Sequence, residues 1–250
     1  MSLSEMSLMK RLFSGVAVAA LAVTLVACSD EKTETAAAPE TTQTASGAAS
    51  ETPSADTTAS TAKVPDAEGS VDMAEVMKPG ALPEMALGEE SAPVTIVEYM
   101  SMTCPHCAAF HNNTFDAIKA KYVDSGKVRF VIREFPFDPR AAAAFMLARC
   151  APEGQYFPMV SMLMKQQETW AAAEDGREAL LQMSKLAGFT EDSFKACLTN
   201  QKLLDDVNAV RERGAKEFGI AATPTFLING KRYSGDMSVD TMSALIDSLL

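Results

Sequence analysis

From residue 94 onward, the spacing of the hydrophobic residues changes repeatedly between that of a strand and that of a helix. An apolar run at 94–100 predicts a buried strand, and Phe110, Phe115, Ile118 and Tyr122 then recur at helical spacing. A second strand is predicted at 127–133. The order strand, helix, strand indicates a parallel pair joined by a right-handed crossover, and therefore an α/β fold.

A long helical region follows this unit. Its helices are separated by glycine and proline residues and are predicted at 140–150, 156–167, 176–187, 191–200 and 201–218. The chain then returns to strands at 225–228 and 231–233, with a tight hairpin predicted at Asn229-Gly230. A final amphipathic helix is predicted at 239–250. The segment 72–87, interrupted by two prolines, is expected at the edge of the domain.

The first 27 residues have a different pattern. Lys10 and Arg11 precede an apolar run at 12–27, which is short and alanine-rich for a membrane span, so a secretory signal is favoured. The run ends in Leu25-Val26-Ala27-Cys28, which resembles the lipobox of bacterial lipoproteins. That resemblance implies that Cys28 carries lipid and becomes the mature N-terminus. An ordinary cleavable signal and an uncleaved anchor are the alternatives.

Residues 28–70 are rich in Ala, Thr, Ser, Glu and Pro and contain almost no large apolar side chain. Such a segment cannot bury enough surface to offset its ordering entropy, so a disordered tether is predicted. A processing remnant is the alternative. The folded domain is predicted at 71–250.

The excess of acidic over basic residues limits the kinds of molecule that this protein is expected to bind. The 250-residue chain has a formal net charge of −11 and no clustered Lys and Arg. Because nucleic-acid binding depends on such clusters, nucleic acid is not expected as a partner. Protein or small-molecule partners are favoured.

Two cysteines stand where the first predicted strand meets the helix, in Cys104-Pro105-His106-Cys107. The free N–H groups and the dipole at a helix N-terminus favour ionisation of Cys104. Cys107, one turn on, can close a disulfide with Cys104 or attack a mixed disulfide formed there. The motif predicts a dithiol that exchanges electrons.

Other readings of this motif are weaker. A Cys-x-x-Cys pair can be half of a zinc site, but no second pair lies at ligand spacing. A c-type haem site has histidine directly after the second cysteine, whereas this chain has Ala108. Neither a metal nor another cofactor is therefore expected. His111, one turn after Cys107, is interpreted as a helix-surface residue.

Together with Thr223-Pro224 before the predicted hairpin, these elements resemble the thioredoxin fold. The helical stretch between the two halves and the Cys-Pro-His-Cys centre resemble the DsbA family of extracytoplasmic thiol-disulfide oxidoreductases. The resemblance implies a thioredoxin-like domain with an inserted α-helical domain. Its thioredoxin halves are predicted at 87–138 and 205–250, with the insert at 139–204.

The resemblance also implies roles for particular residues. Pro224 matches a cis-proline that faces the cysteine pair, and the adjoining backbone at Thr223 and Pro224 is expected to bind substrate. Glu98 matches a buried acid that accepts the Cys107 proton, although the strand alone would favour a solvent-facing residue. His106 matches a residue that stabilises the Cys104 thiolate. Thr223 stands where the archetypal oxidase has valine, which leaves oxidase and isomerase both open.

The two remaining cysteines, Cys150 and Cys197, lie in the predicted helical region. In an exported protein such thiols favour pairing, and the resemblance implies a structural disulfide between them.

Together with these patterns, the resemblance implies an oxidoreductase in the periplasm or at the extracytoplasmic face, tethered to a membrane through Cys28. Its expected substrates are exported proteins with free thiols, into which it introduces disulfides. A DsbB-type membrane protein is the expected reoxidant. A reductase or isomerase of the same fold and a non-catalytic lipoprotein binding module are the alternatives.

Overall fold

A computed structural model describes residues 63–250, and its central feature is a sheet in the order β1-β6-β5-β3-β4-β2. The strands are β1 Gly69–Ser70, β2 Met85–Leu87, β3 Val94–Met100, β4 Val128–Glu134, β5 Thr225–Ile228 and β6 Lys231–Ser234. Strands β3 and β4 are parallel, and the other paired strands are antiparallel. The sequence predicts the bounds of β3 and β5 correctly.

The crossover from β3 to β4 is helical from residue 105 to residue 123. It consists of α2 Pro105–Phe110, a π-helical turn His111–Phe115, α3 Asp116–Ile118 and a second π-helical turn Lys119–Val123. The helices between β4 and β5 are α4 Pro139–Cys150, α5 Tyr156–Lys165, α6 Gln167–Ala171, α7 Gly176–Leu186, α8 Glu191–Leu198 and α9 Gln201–Phe218. Helix α1, Met73–Val76, precedes β2, and α10, Val239–Asp247, follows β6. The α/β class with a long helical insertion is confirmed.

Both faces of the sheet are buried. Side chains alternate along β3, so that Ile96 and Met100 join the large core beneath α2 and the helical insertion. Val97 and Tyr99 join a smaller core on the opposite face. Glu98 shares the face of Ile96 and Met100, because it stands two residues from each. The strand therefore carries a carboxylate into the large core.

The predicted domain boundaries need two corrections. Gly69–Ser70 pair with β6, so the folded domain begins earlier than residue 71 and the tether cannot extend to residue 70. The boundary predicted between residues 204 and 205 falls inside α9, one continuous helix. The predicted signal, Cys28 and most of the predicted tether lie outside the described residues. Within residues 63–250, no helix combines the length and apolarity needed to cross a membrane.

A disulfide joins Cys150, the last residue of α4, to Cys197 in α8. The two Cα atoms are 6.1 Å apart, and the cysteines are separated by 47 positions in sequence. The bond therefore fixes two helices of the insertion against each other.

Replacing both Cys150 and Cys197 by alanine is expected to lower the free energy of unfolding by about 2–4 kcal/mol, since the bridge restricts the unfolded chain. Guanidinium denaturation of the two proteins, followed by the fluorescence of the buried Trp170, measures this difference. A loss of less than about 1 kcal/mol would contradict the expected contribution of the bridge.

Candidate dithiol active site

Cys104 and Cys107 lie at the start of α2. Cys104 is the N-cap residue and keeps an extended backbone conformation, while Pro105 occupies the first helical turn, where a missing N–H costs nothing. The Cys104 N–H donates to the carbonyl of Ser101 (3.1 Å), which closes the turn after β3. Cys104 is partly exposed and Cys107 is buried, and both thiols are free. The Cys104 sulfur is therefore accessible to a partner protein, whereas the Cys107 sulfur is not.

The pKa of Cys104 is lowered from its ordinary value of 9.0 to about 5. The largest cause is a hydrogen bond from the Cys107 thiol, and Thr223 and the backbone N–H groups of Cys107 and His106 also stabilise the thiolate. Partial burial opposes them. Cys104 is consequently a thiolate at neutral pH, which is the reactive form.

The pKa of Cys107 is raised far above its ordinary value. Burial is the largest cause, followed by the hydrogen bond to Cys104 and the negative charge of Glu98. Each of these favours the neutral thiol. The two sulfurs thus have opposite protonation states at the same pH.

The segment opposite the dithiol carries a cis peptide bond between Thr223 and Pro224. The Cys104 Sγ donates to the Thr223 carbonyl oxygen at 3.2 Å. The Thr223 hydroxyl is buried and has no hydrogen-bond partner among the described residues. When Cys104 loses its proton, the sulfur becomes an acceptor and this hydroxyl is available as a donor.

Glu98 is fully buried, and its Oε2 lies 2.9 Å from the His111 Nε2. The interpretation of His111 as a surface residue is wrong, since the residue is only 4% exposed. It stands four positions after Cys107 and hence on the same, inward face of the helix. Its ring packs against Phe110 and Phe115. The alternative of a solvent-facing Glu98 is wrong as well.

His106 contributes to the site mainly through its backbone. Its N–H is among the groups that lower the Cys104 pKa. The imidazole is largely exposed, and its Nδ1 lies 3.1 Å from Asp236 Oδ1 in the loop between β6 and α10. The structure therefore joins His106 to an acidic residue that sequence reasoning missed.

Two contacts from the helical insertion hold the active-site turn. The Gln167 side chain donates to the carbonyls of Met102 (2.8 Å) and Cys104 (3.0 Å). The Thr103 hydroxyl donates to Asp138, which also caps the N-terminus of α4. The dipeptide Asp138-Pro139 is a recognisable helix start. Gln167 carries no local signal, because its partners lie more than sixty positions away.

The donor groups of the site favour chemistry at sulfur. Among residues 63–250, no group of three or more His, Cys, Asp or Glu side chains is arranged to hold a metal ion. The arrangement of one partly exposed thiolate and one buried thiol supports disulfide exchange.

Comparisons with known proteins agree with this geometry. The profile of a family described as "Thioredoxin" matches residues 81–248. A Rickettsia conorii protein described as "Putative protein-disulfide oxidoreductase" is 36% identical over 168 residues, which cover 67% of this chain and 60% of that protein. A Rickettsia typhi protein of the same description is 34% identical, with 67% and 62% covered. The chain thus spans about 60% of the length of these curated relatives.

Solved structures show the same relationship. The crystal structure of Wolbachia pipientis alpha-DsbA1 has 31% sequence identity and a TM-score of 0.65, covering 70% of this chain and 94% of that one. Bacillus subtilis BdbD, with 22% identity and a TM-score of 0.57, shares the fold; the match covers 66% of this chain and 92% of that one. The predicted thioredoxin-like fold with a helical insertion is confirmed. The chain belongs to the DsbA-like family of thioredoxin-fold proteins.

Proposed function

We propose that this chain is a thiol-disulfide oxidoreductase that introduces disulfide bonds into exported proteins. The observation that carries the proposal is the placement of the two thiols, with Cys104 partly exposed at the start of α2 and Cys107 buried. The Cys104 pKa is about 5, whereas that of the buried Cys107 is strongly raised. A stabilised thiolate favours the reduced dithiol over the disulfide, which makes the disulfide a strong oxidant.

The reaction begins with the Cys104–Cys107 disulfide. A substrate thiolate attacks the exposed Cys104 Sγ, and the bond to Cys107 breaks, so that a mixed disulfide forms and the Cys107 sulfur takes up a proton. A second substrate thiolate then attacks the substrate sulfur of the mixed disulfide. The substrate leaves with a disulfide, Cys104 leaves as a thiolate, and two electrons pass to the enzyme. The low pKa of Cys104 makes it a good leaving group in this last step.

Reoxidation reverses the exchange. The Cys104 thiolate attacks a disulfide of the partner and forms a mixed disulfide. Cys107 then attacks Cys104 and closes the internal disulfide. A DsbB-type membrane protein is the proposed partner. Since Cys107 must lose its proton in this step, the nearby buried Glu98 is the proposed proton acceptor.

The proposed site of action is the periplasm or the extracytoplasmic face of a membrane. The N-terminal pattern of the sequence supports export, and Cys28 is the proposed point of lipid attachment. The Cys150–Cys197 bond is typical of proteins in an oxidising compartment. The proposed substrates are exported proteins with free thiols.

A disulfide reductase or isomerase is the second candidate, because Thr223 stands where the archetypal oxidase has valine. A different residue before the cis-proline changes the groups around the Cys104 sulfur, and with them the balance between dithiol and disulfide. In this chain the Thr223 hydroxyl stabilises the thiolate, which on physical grounds supports the oxidase.

Serine variants of the two cysteines test the proposed reaction. Oxidation of a reduced, unfolded substrate protein is expected to fall to the uncatalysed rate in Cys104→Ser and in Cys107→Ser, because each lacks the internal disulfide. Given oxidised glutathione, only Cys107→Ser is expected to accumulate a persistent mixed disulfide, detected by intact mass after acid quenching. The control Asn113→Ala changes an exposed residue of the same helix and should retain activity. A wild-type chain that does not catalyse oxidation would contradict the proposed oxidase, and undiminished activity in Cys104→Ser would contradict the role assigned to this thiol.

Thr223→Val is expected to raise the pKa of Cys104, since valine removes the hydroxyl donor, whereas Thr223→Ser should leave it near 5. Thiolate absorbance in the ultraviolet, measured against pH on the reduced proteins, gives the three values. An unchanged pKa in Thr223→Val would show that the hydroxyl does not act on the thiolate.

Because the pKa of Cys104 is lowered in the folded state, the free energy of unfolding of the reduced protein is expected to depend on pH. The folded pKa of Cys104 lies below the ordinary value, so its ionisation stabilises the fold. That contribution is complete above about pH 9 and is lost as the pH falls through about 5. Denaturation of reduced wild type and of Cys104→Ser at several pH values isolates the contribution. A constant difference between the two across this range would contradict the assignment.

A further inference from the structure

The Glu98 carboxylate has one bonded and one free oxygen. Its Oε2 pairs with His111, whereas Oε1 is buried and has no hydrogen-bond partner among the described residues. A buried carboxylate oxygen without a donor is costly, and such groups in native proteins often have a chemical role. The negative charge of Glu98 also acts on Cys107. The free oxygen therefore belongs to a carboxylate close enough to influence the resolving thiol.

The His111 ring, which bonds to this carboxylate, is itself held by burial and packing. Its side chain is only 3% exposed and is enclosed between Phe110 and Phe115. It is the first residue of a π-helical turn, a feature that is frequent at functional sites. With its proton on Nε2, the ring donates to Glu98 Oε2 at 2.9 Å and so fixes the orientation of the carboxylate.

The other buried ionisable groups nearby bond to one another rather than to Glu98. Glu134 is buried and paired with Arg149. The Tyr156 hydroxyl donates to Glu134, and burial is the main reason for its raised pKa. Among the described residues, His111 is therefore the group that bonds directly to the Glu98 carboxylate.

We propose that His111 is a positioning residue, which holds Glu98 so that its free oxygen accepts the Cys107 proton when the internal disulfide closes. The inference rests on the proposed function and adds a residue to it. His111 acts through Glu98 and touches neither the substrate nor the reacting sulfurs.

The step balances with oxidised glutathione as the partner disulfide. The Cys104 thiolate attacks it, forms a Cys104–glutathione disulfide and releases one glutathione thiolate. The Cys107 proton then passes to Glu98 Oε1, while the Cys107 sulfur bonds to Cys104 and expels the second glutathione thiolate. The two electrons of the dithiol reduce glutathione disulfide, and the proton later leaves Glu98 for solvent.

Two substitutions of His111 separate the hydrogen bond from packing. His111→Phe keeps an aromatic ring between Phe110 and Phe115 but removes the donor. His111→Gln keeps an N–H donor but loses the ring. Glu98→Gln removes the proton acceptor, and Asn113→Ala is the control on the same helix. Circular dichroism establishes that each variant is folded.

Reduced protein is mixed rapidly with oxidised glutathione, quenched with acid and analysed by intact mass. Two rates are thus measured separately. Capture is the formation of the Cys104–glutathione disulfide, and closure is its replacement by the Cys104–Cys107 disulfide. Closure is expected to slow by about tenfold or more in His111→Phe and Glu98→Gln, with accumulation of the mixed disulfide, because a positioned base contributes at least this much. In His111→Gln closure should stay within about threefold of wild type, and capture should be unchanged in all variants.

Two results would overturn the inference. One is wild-type closure in Glu98→Gln or in folded His111→Phe. The other is equal slowing in His111→Phe and His111→Gln, which would indicate a packing role. Should His111→Phe not fold, His111→Met takes its place as the buried variant without an N–H donor. Failure of the proposed function is a different outcome, since the wild-type protein would then show no capture by Cys104.

Discussion

The hydrogen bond from the Cys107 thiol to the Cys104 sulfur is the interaction on which the site depends. It lowers the pKa of Cys104 and adds to burial, the larger cause, in raising the pKa of Cys107, so that the two sulfurs have different roles. Its strength depends on burial, because Cys107 is withdrawn from water and cannot compete as an anion. The helix start then adds the backbone N–H groups of His106 and Cys107, which stabilise the Cys104 thiolate.

Packing holds this pair from three directions. Strand β3 leads into the turn that carries Cys104, and Gln167 of α6 fixes two carbonyls of that turn. The Thr223 carbonyl closes the opposite side. The helical insertion thus contributes to the active site through Gln167 and Asp138, in addition to enlarging the core. Its own helices are tied together by the Cys150–Cys197 bond.

The fold and the reactive pair are readable from local sequence signals, since strand periodicity, the hairpin dipeptide and Cys-x-x-Cys each act over a few residues. Glu98 was identified only through family resemblance, because a single acid in an apolar strand does not reveal which side it faces. The buried position of His111 could have been predicted from its four-residue spacing to Cys107. Its partner could not be predicted in that way, because the Glu98 contact depends on how the helix packs on the sheet. Gln167 and Asp236 are further cases in which the sequence separation leaves no local pattern.

The most direct test of this account is the equilibrium of the Cys104–Cys107 couple with glutathione, followed by thiol trapping and mass. A thiolate stabilised as the structure shows predicts a strongly oxidising disulfide, with a reduction potential on the order of −120 mV. A potential near about −270 mV, like that of thioredoxin, would contradict the proposed oxidase and identify a reductase instead.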